Sequence, residues 1–470
     1  MAPARPTRLA LTAAHHRALQ QHLFPGDGCE AVAFALCGRA RREDVELLLV
    51  REIVPVPYDL CPVRTPYRVT WRGEALDAVL ARALDHGLAL VKIHSHPTGH
   101  PWFSSTDDEA DAALFPCVAG WLGDGTGPMA SAIMLPDGQM VGRSIWDGAI
   151  GDALQAIRVA GDDFRYWFAG EDSASVPEHG LRIAQAFGDA TYAQLRKLKI
   201  GIVGCSGTGS PVAEQIARNG VGEIVLVDGD RTEWKNLNRI LNSTKFDAQV
   251  EANKTLVQAR AIEAMGLGTR VRVHACDLLD LNALHDLSTC DLVFGCMDSV
   301  DGRHVLNKLA TAYLIPYIDL GVRLDADGRG GIDSIWLAIH TVLPGGSSLK
   351  SRRVYDQPDL EAAFIRRDSP QEYERLKREG YVKGVRVDRP AVISINMAAA
   401  AAAVNEFLAR LHGFRLKPNA AYAVRRICLT DPDASVDEVE GAPCAEMAKL
   451  LGRGDQDPLL GMMRLGKPSC

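Results

Sequence analysis

From residue 198 onward the chain alternates short apolar runs with amphipathic stretches, and this rhythm restricts the fold more than any other feature. LKIGIVG, EIVLVD, RVRVHACD, DLVFGCMD and PYIDLGV follow one another, with helical patterns at residues 211–219, 253–265 and 302–313. Apolar strands joined by amphipathic helices predict a doubly wound, mainly parallel sheet covered on both faces. A helix over residues 181–198 is expected to lead into the first strand, and the alanine-rich stretch at 397–404 reads as a tightly packed helix.

The first third has another rhythm. An amphipathic helix is expected over residues 12–23, ending at Pro25-Gly26. Strands follow at 31–37 and 45–54, then a helix at 73–86, a strand at 88–96, and strands at 131–135 and 139–145 joined by Pro136-Asp137-Gly138. This is a mixed α/β pattern. A length of 470 residues exceeds what one core holds. The expected organisation is a first domain over 1–165, a linker over 166–180 containing the small, polar GEDSASVPEHG, a second domain over 181–415, and an extension over 416–470. The segment 344–390 is charged and irregular, and the last fifty or so residues are acidic.

Composition removes several classes of function. With 47% hydrophobic and 24% charged residues the chain is globular. Its 52 basic and 59 acidic residues leave a net charge of −7, which argues against a nucleic-acid or anionic-lipid coat. No run reaches the roughly 18 apolar residues of a membrane span. No secretory pattern precedes His15 and His16. Eleven cysteines with no Cys-x-x-Cys pair fit free thiols in a reducing cytoplasm.

The sharpest local signal is His94-Ser95-His96, followed after seven residues by Ser104 and after two more by Asp107. Histidines at i and i+2 on a strand point to one face and can reach one ion. Two nitrogens and a carboxylate leave a fourth tetrahedral position open, as catalytic zinc requires. Ser104-x-x-Asp107 is also the pattern of a helix capping box.

This stretch resembles the JAMM (MPN-type) zinc metallopeptidases, which cleave after the C-terminus of ubiquitin and its relatives. The resemblance covers residues 10–150 and implies zinc held by His94, His96 and Asp107. It implies a general base at Glu30, with Glu52 a weaker candidate, and an oxyanion-stabilising hydroxyl at Ser104.

The second signal is IGIVGCSGTGS at residues 200–210, a strand entering a glycine loop and a helix. Gly204, Gly207 and Gly209 permit close approach of a phosphate. Asp228 ends the next strand, Asp230 follows, and then come Asn236, Arg239, Lys254 and Asp298. Asn236 and Arg239 are spaced to share a helical face. Two cations and a further acid suit a triphosphate under in-line attack, not a hydride carrier.

The arrangement is similar to the ThiF-type adenylyltransferases, over residues 180–415. The resemblance implies ATP and magnesium as cofactors. Asp228 would hold ribose, Arg239 and Lys254 the phosphates, Asn236 would orient a phosphate, and Asp298 would hold magnesium, with Asp230 matching the family's D-x-D. It implies attack of a ubiquitin-like protein's C-terminal glycine carboxylate on the α-phosphate, a homodimer through this domain, and a conjugating-enzyme homologue as partner.

No cysteine lies between Met297 and Ile427, and serines stand where relatives often read P-G-x-x-C-L-x-C. Three readings stay open: adenylation alone, transfer to a distant cysteine such as Cys205 or Cys428, or an oxyester on Ser348. The lost Cys-x-x-Cys argues against structural zinc there. The combined expectation is a bifunctional enzyme of a bacterial ubiquitin-like pathway, with antiphage defence as a family-level association. The alternatives are sulfur-carrier activation to a thiocarboxylate and a non-catalytic scaffold.

Overall fold

The computed structural model describes residues 5–123, 127–170, 175–327, 329–379 and 392–466. Residues 171–174 of the expected linker and 380–390 of the charged segment lie outside the described residues. The chain divides into two compact units, one of residues 1–171, 312–314 and 450–470 and one of residues 172–311 and 315–449. The extension expected over 416–470 is therefore shared between them.

Among the described residues the first unit has a nine-stranded sheet in the order Arg165–Phe168, Ala156–Ala160, Thr7–Thr12, Glu46–Pro55, Val32–Arg41, Ala89–Ser95, Met129–Met134, Met140–Trp146, Ala149–Ala153. The first strand, Thr7–Thr12, has no counterpart in the sequence reading. It pairs in parallel with both Ala156–Ala160 and Glu46–Pro55. Strand alternation sorts side chains into two cores. Ala33, Ala35, Val91 and Ile93 join one, with Leu19 and Leu23 of the helix Ala13–Leu23. Phe34, Leu36, Leu88 and Leu90 join the other, with Leu76, Val79, Leu80 and Ala83 of the helix Glu74–Asp85.

The second core sets up the site. Along that face of the strand Ala89–Ser95, Leu88 and Leu90 give way to Lys92, His94 and His96. The helix Ser105–Leu122 changes in the same sense, from Asp107 and Asp111 to Phe115, Val118 and Leu122. Polar ends meet polar ends: Lys92 pairs with Asp111, and His94 and His96 with Asp107.

Among the described residues the second unit has eight strands in the order Arg270–His274, Glu223–Val227, Lys199–Val203, Leu292–Gly295, Tyr317–Ala326, Ile332–Val342, Val424–Cys428, Val436–Glu438. The first five are parallel and the remaining pairings antiparallel. The single helix expected over 181–198 is two, Leu181–Phe187 and Asp189–Lys197, broken at Gly188, whose φ of 86° ends a right-handed helix. The helix Ile393–Leu411 buries Ala399, Ala400 and Ala403, small side chains that admit close packing on the helix Gly209–Arg218 and the strand Tyr317–Ala326. The segment read as irregular after residue 344 contains the helices Gln357–Asp368 and Pro370–Arg378.

Candidate metal and nucleotide sites

His94 and His96 leave the same face of their strand because they are two residues apart, and both are buried. Their Nε2 atoms lie 3.1 Å apart. Asp107 Oδ1 is 2.9 Å from His94 Nε2, and Oδ2 is 3.5 Å from His96 Nε2. One donor atom from each residue falls within 4.8 Å of the others. Zinc at about 2.0–2.1 Å from tetrahedral ligands needs donors roughly 3.3 Å apart, so the trio fits such an ion. His96 Nδ1 is 2.8 Å from the His100 carbonyl, which turns Nε2 toward His94 and Asp107 as the nitrogen that could hold a metal.

Electrostatics follows from this crowding. Burial lowers the pKa of His94 despite the Asp107 carboxylate. Burial opposes protonation of His96 as well, but Asp107 and the His100 carbonyl outweigh it and raise its pKa. Burial acts against the Asp107 carboxylate, yet the two imidazoles hold its carboxyl far below the usual range.

Glu30 is brought to this centre by its backbone. Ser95, between the two histidines, accepts the Ala31 N–H at its Oγ (2.9 Å) and donates its own N–H to the Ala31 carbonyl (3.0 Å). The Glu30 N–H donates to the Thr65 carbonyl at 2.8 Å, and Arg64 Nε donates to the Glu30 carbonyl at 3.0 Å. Glu30 is 5% exposed, and burial pushes its carboxyl up to about 7, among the charges of His96, Asp107 and Lys92. Glu52 instead pairs with Arg82 and stays half exposed.

Ser104 forms the helix cap. Its Oγ accepts the Asp107 N–H at 3.2 Å and donates to Asp107 Oδ2 at 2.7 Å, while its own N–H reaches Oδ2 at 2.7 Å. Capping box and ligand set thus share one aspartate. The structure also shows a buried group that sequence reasoning missed. Asp111 accepts from Lys92 and, at 2.6 Å, from Arg143 Nη2, and the Arg143 guanidinium sits 3.9 Å from the Phe103 ring centroid.

In the second unit, the carboxyl ends of the parallel strands open into a cleft of about 990 Å³. Gly204, Gly207, Asp228, Asp230, Asn236, Arg239, Lys254 and Asp298 all line it. Gly209 does not; it starts a helix where a Cβ would run into the Gly204 carbonyl oxygen. Gly204 has a φ of 91°, which favours glycine. Asp228 Oδ2 accepts the Cys205 N–H at 2.7 Å and Oδ1 the Asp230 N–H at 2.8 Å. Burial raises the Asp228 pKa, with Lys254 and these N–H groups pulling the other way. Lys254 Nζ rests 2.7 Å from Asp230 Oδ2.

Asn236 closes a short 3₁₀ turn, Trp234–Asn236, in place of a shared helical face with Arg239, and its Oδ1 accepts the Glu233 N–H at 3.1 Å. Arg239 donates to the Lys235 carbonyl at 2.7 Å. Ser348 does not line this cleft. It is buried, its Oγ accepts the Ser351 N–H at 3.1 Å, and its own N–H donates to Ser351 Oγ at 2.8 Å. Cys205 is buried, and burial pushes its thiol well up. Cys428 does not line the cleft either.

The family model of the ThiF family matches residues 179–433, more than half of the chain. The chain belongs to the ThiF family. A second model, prokaryotic homologs of the JAB domain, matches residues 12–137, the part of the chain that carries Glu30, the two histidines and Asp107. Three curated relatives are similar over part of their length. The "Adenylyltransferase and sulfurtransferase MOCS3" of Caenorhabditis briggsae is 30% identical over 35% of this chain and 40% of its own. The "Sulfur carrier protein adenylyltransferase" of Thermus thermophilus is 30% identical over 32% of this chain and 55% of its own. The "Ubiquitin-like modifier-activating enzyme 5" of Oryza sativa subsp. japonica is 31% identical over 29% of this chain and 34% of its own. The chain thus spans between a third and just over half of these relatives.

The ThiF cleft also contains Lys235, Arg303, Arg367 and Asn396. Lys235 and Arg303 lie inside motifs visible in the sequence. Arg303 Nε donates to Asp319 Oδ1 at 3.1 Å, which fixes it. Arg367 pairs with Asp277 and Asp301. Arg367 and Asn396 come from distant helices and carry no local signal.

Proposed function

We propose that this ThiF-family chain adenylates the C-terminal glycine of a ubiquitin-like protein with ATP and magnesium, and that its JAB region cuts after the same terminus with zinc. The observation that carries the first half is the cleft: a glycine loop, two strand-end carboxylates, two separate cations and Asp298 line one cavity of about 990 Å³. Asp228 would receive ribose hydroxyls, Arg239 and Lys254 phosphate oxygens, and Asp298 magnesium. A tail carboxylate oxygen would form a bond to the α-phosphorus as the bond to the β-bridging oxygen breaks, and pyrophosphate leaves.

In the JAB region His94, His96 and Asp107 would hold zinc. A zinc ion held there would supply a bound water of near-neutral pKa and a Lewis acid for the carbonyl. Glu30, buried and without an ion pair among the described residues, would take a proton from the attacking water and return it to the leaving amine. Ser104 keeps Asp107 in place by donating its hydroxyl to Oδ2, and it would serve the oxyanion only by turning that hydrogen away from the carboxylate.

Arg239→Ala should lower ATP–pyrophosphate exchange by about a hundredfold or more. Exchange at the wild-type rate would reject the assignment. Glu30→Gln should stop cleavage of a tail-extended ubiquitin-like protein while zinc stays bound, and a variant that still cuts would remove Glu30 as the base.

A second reading, activation of a sulfur carrier, is favoured by the similarity to the Thermus thermophilus adenylyltransferase. Thiocarboxylate formation in the presence of sulfide, with no conjugates on gels, would decide for it.

A further inference from the structure

Asn396 lies at the fourth position of the helix Ile393–Leu411, within its first turn. It is 5% exposed, and that remaining surface opens on the ThiF cleft. A Cβ added to Gly207 would collide with the Asn396 amide nitrogen and come within 3.3 Å of Arg239 Cδ. Asn396, the glycine loop and Arg239 are therefore immediate neighbours. The Asn396 backbone N–H donates to the Val392 carbonyl at 3.1 Å, while its side-chain amide, on the wall of the cleft, has no hydrogen-bond partner among the described residues.

We infer that the Asn396 amide donates to a phosphate oxygen of the nucleotide in this cleft. A side-chain amide in a cleft wall is stabilised when its donors are satisfied, and here the glycine loop lies beside it. Its helix has 19 residues, no side-chain cap at Val392 and no acidic residue in its first turn, so its positive pole adds to the field beside the same loop. The helix Gly209–Arg218 also begins at that loop, again without a side-chain cap. Two helix starts, one buried amide and the Arg239 side chain thus border Gly207, and the ligand chemistry they share is a multiply charged oxyanion. A neutral amide adds a directed donor without attracting a carboxylate of its own, unlike Lys254, which already pairs with Asp230.

The inference rests on the proposed adenylation reading and adds to it a residue some 140 positions from the nearest phosphate-binding motif residue, Lys254. The test is calorimetric titration of the full chain with magnesium ATP and, separately, with adenosine. Asn396→Asp keeps the shape, removes a donor and adds a negative charge; Asn396→Ala removes the amide. Both should weaken ATP binding by about ten- to hundredfold, the aspartate more, while adenosine affinity stays within about twofold. ATP affinity within about twofold of wild type in the aspartate variant would overturn the inference. Equal weakening of ATP and adenosine would overturn it too, since a merely structural role predicts that pattern. Wild-type chain that binds no ATP would sink the adenylation reading itself, whereas wild-type binding with unaffected variants sinks only the role of Asn396.

Discussion

Ser104 binds Asp107 through both its backbone N–H and its hydroxyl, each 2.7 Å from the same carboxylate oxygen, Oδ2. The other oxygen is left to face His94 at 2.9 Å. A helix cap therefore orients a candidate metal ligand, so that the first turn of the helix and the ligand set stand or fall together.

Ser104→Ala should accordingly act in two ways. Loss of the cap costs the first unit about 1 kcal/mol. Loss of the support to a ligand should weaken zinc about ten- to hundredfold, measured by competition with a chromogenic chelator. Unchanged zinc affinity would separate the cap from the ligand set.

Asp111 should matter more to folding than to chemistry. It is fully buried and faces Lys92 and Arg143, whose side chains are 6% and 10% exposed. Asp111→Ala removes the carboxylate that Lys92 faces and one of the two that Arg143 faces, the other being Asp108, and should destabilise the first unit by about 3–5 kcal/mol in urea unfolding. A loss below about 1 kcal/mol would show that water reaches the network.

Acid should weaken the second unit through buried neutral histidines. Burial, with Arg352 next, lowers the pKa of His340 to about 3, and burial, with Lys308 next, lowers His304 to about 4. In the unfolded chain both titrate near 6.5. Above that pH both states are neutral and nothing is lost. Below it the unfolded chain takes up protons first, so stability falls from about pH 6.5 toward pH 4. Urea midpoints at pH 7.5, 6 and 5 should decline in that order, and less steeply in His340→Gln. Parallel declines in wild type and variant would acquit His340.

Ser348→Ala should leave ATP–pyrophosphate exchange within about twofold and cost about 1 kcal/mol of stability, since its hydroxyl is engaged by Ser351 and does not line the cleft. Mass spectrometry of a trapped acyl-enzyme gives the complementary measurement. An ester on Ser348 would require this turn to open.

Much of this was legible in residue order. His94 and His96 share a face because a strand repeats every two residues, and Asp107 follows one loop later at the start of a helix. The glycine loop and Asp228 are legible because a parallel strand and its helix are local in sequence. The helix expected over 181–198 breaks at Gly188, where a positive φ interrupts an otherwise continuous amphipathic pattern. The strand Thr7–Thr12 was missed because its partners, Ala156–Ala160 and Glu46–Pro55, are remote.

The sequence by itself determined the chemistry on offer: two histidines and a carboxylate at ligand spacing, and a phosphate loop followed by its acids and cations. Only the tertiary structure decided that Glu30 joins the histidines while Glu52 pairs with Arg82, that Ser348 is held in a turn, and that Asn396 faces Gly207. The reason is physical. Strand and helix periodicities are written in neighbouring residues, but which distant side chains share a cavity depends on sheet pairing and helix packing, which no local pattern encodes.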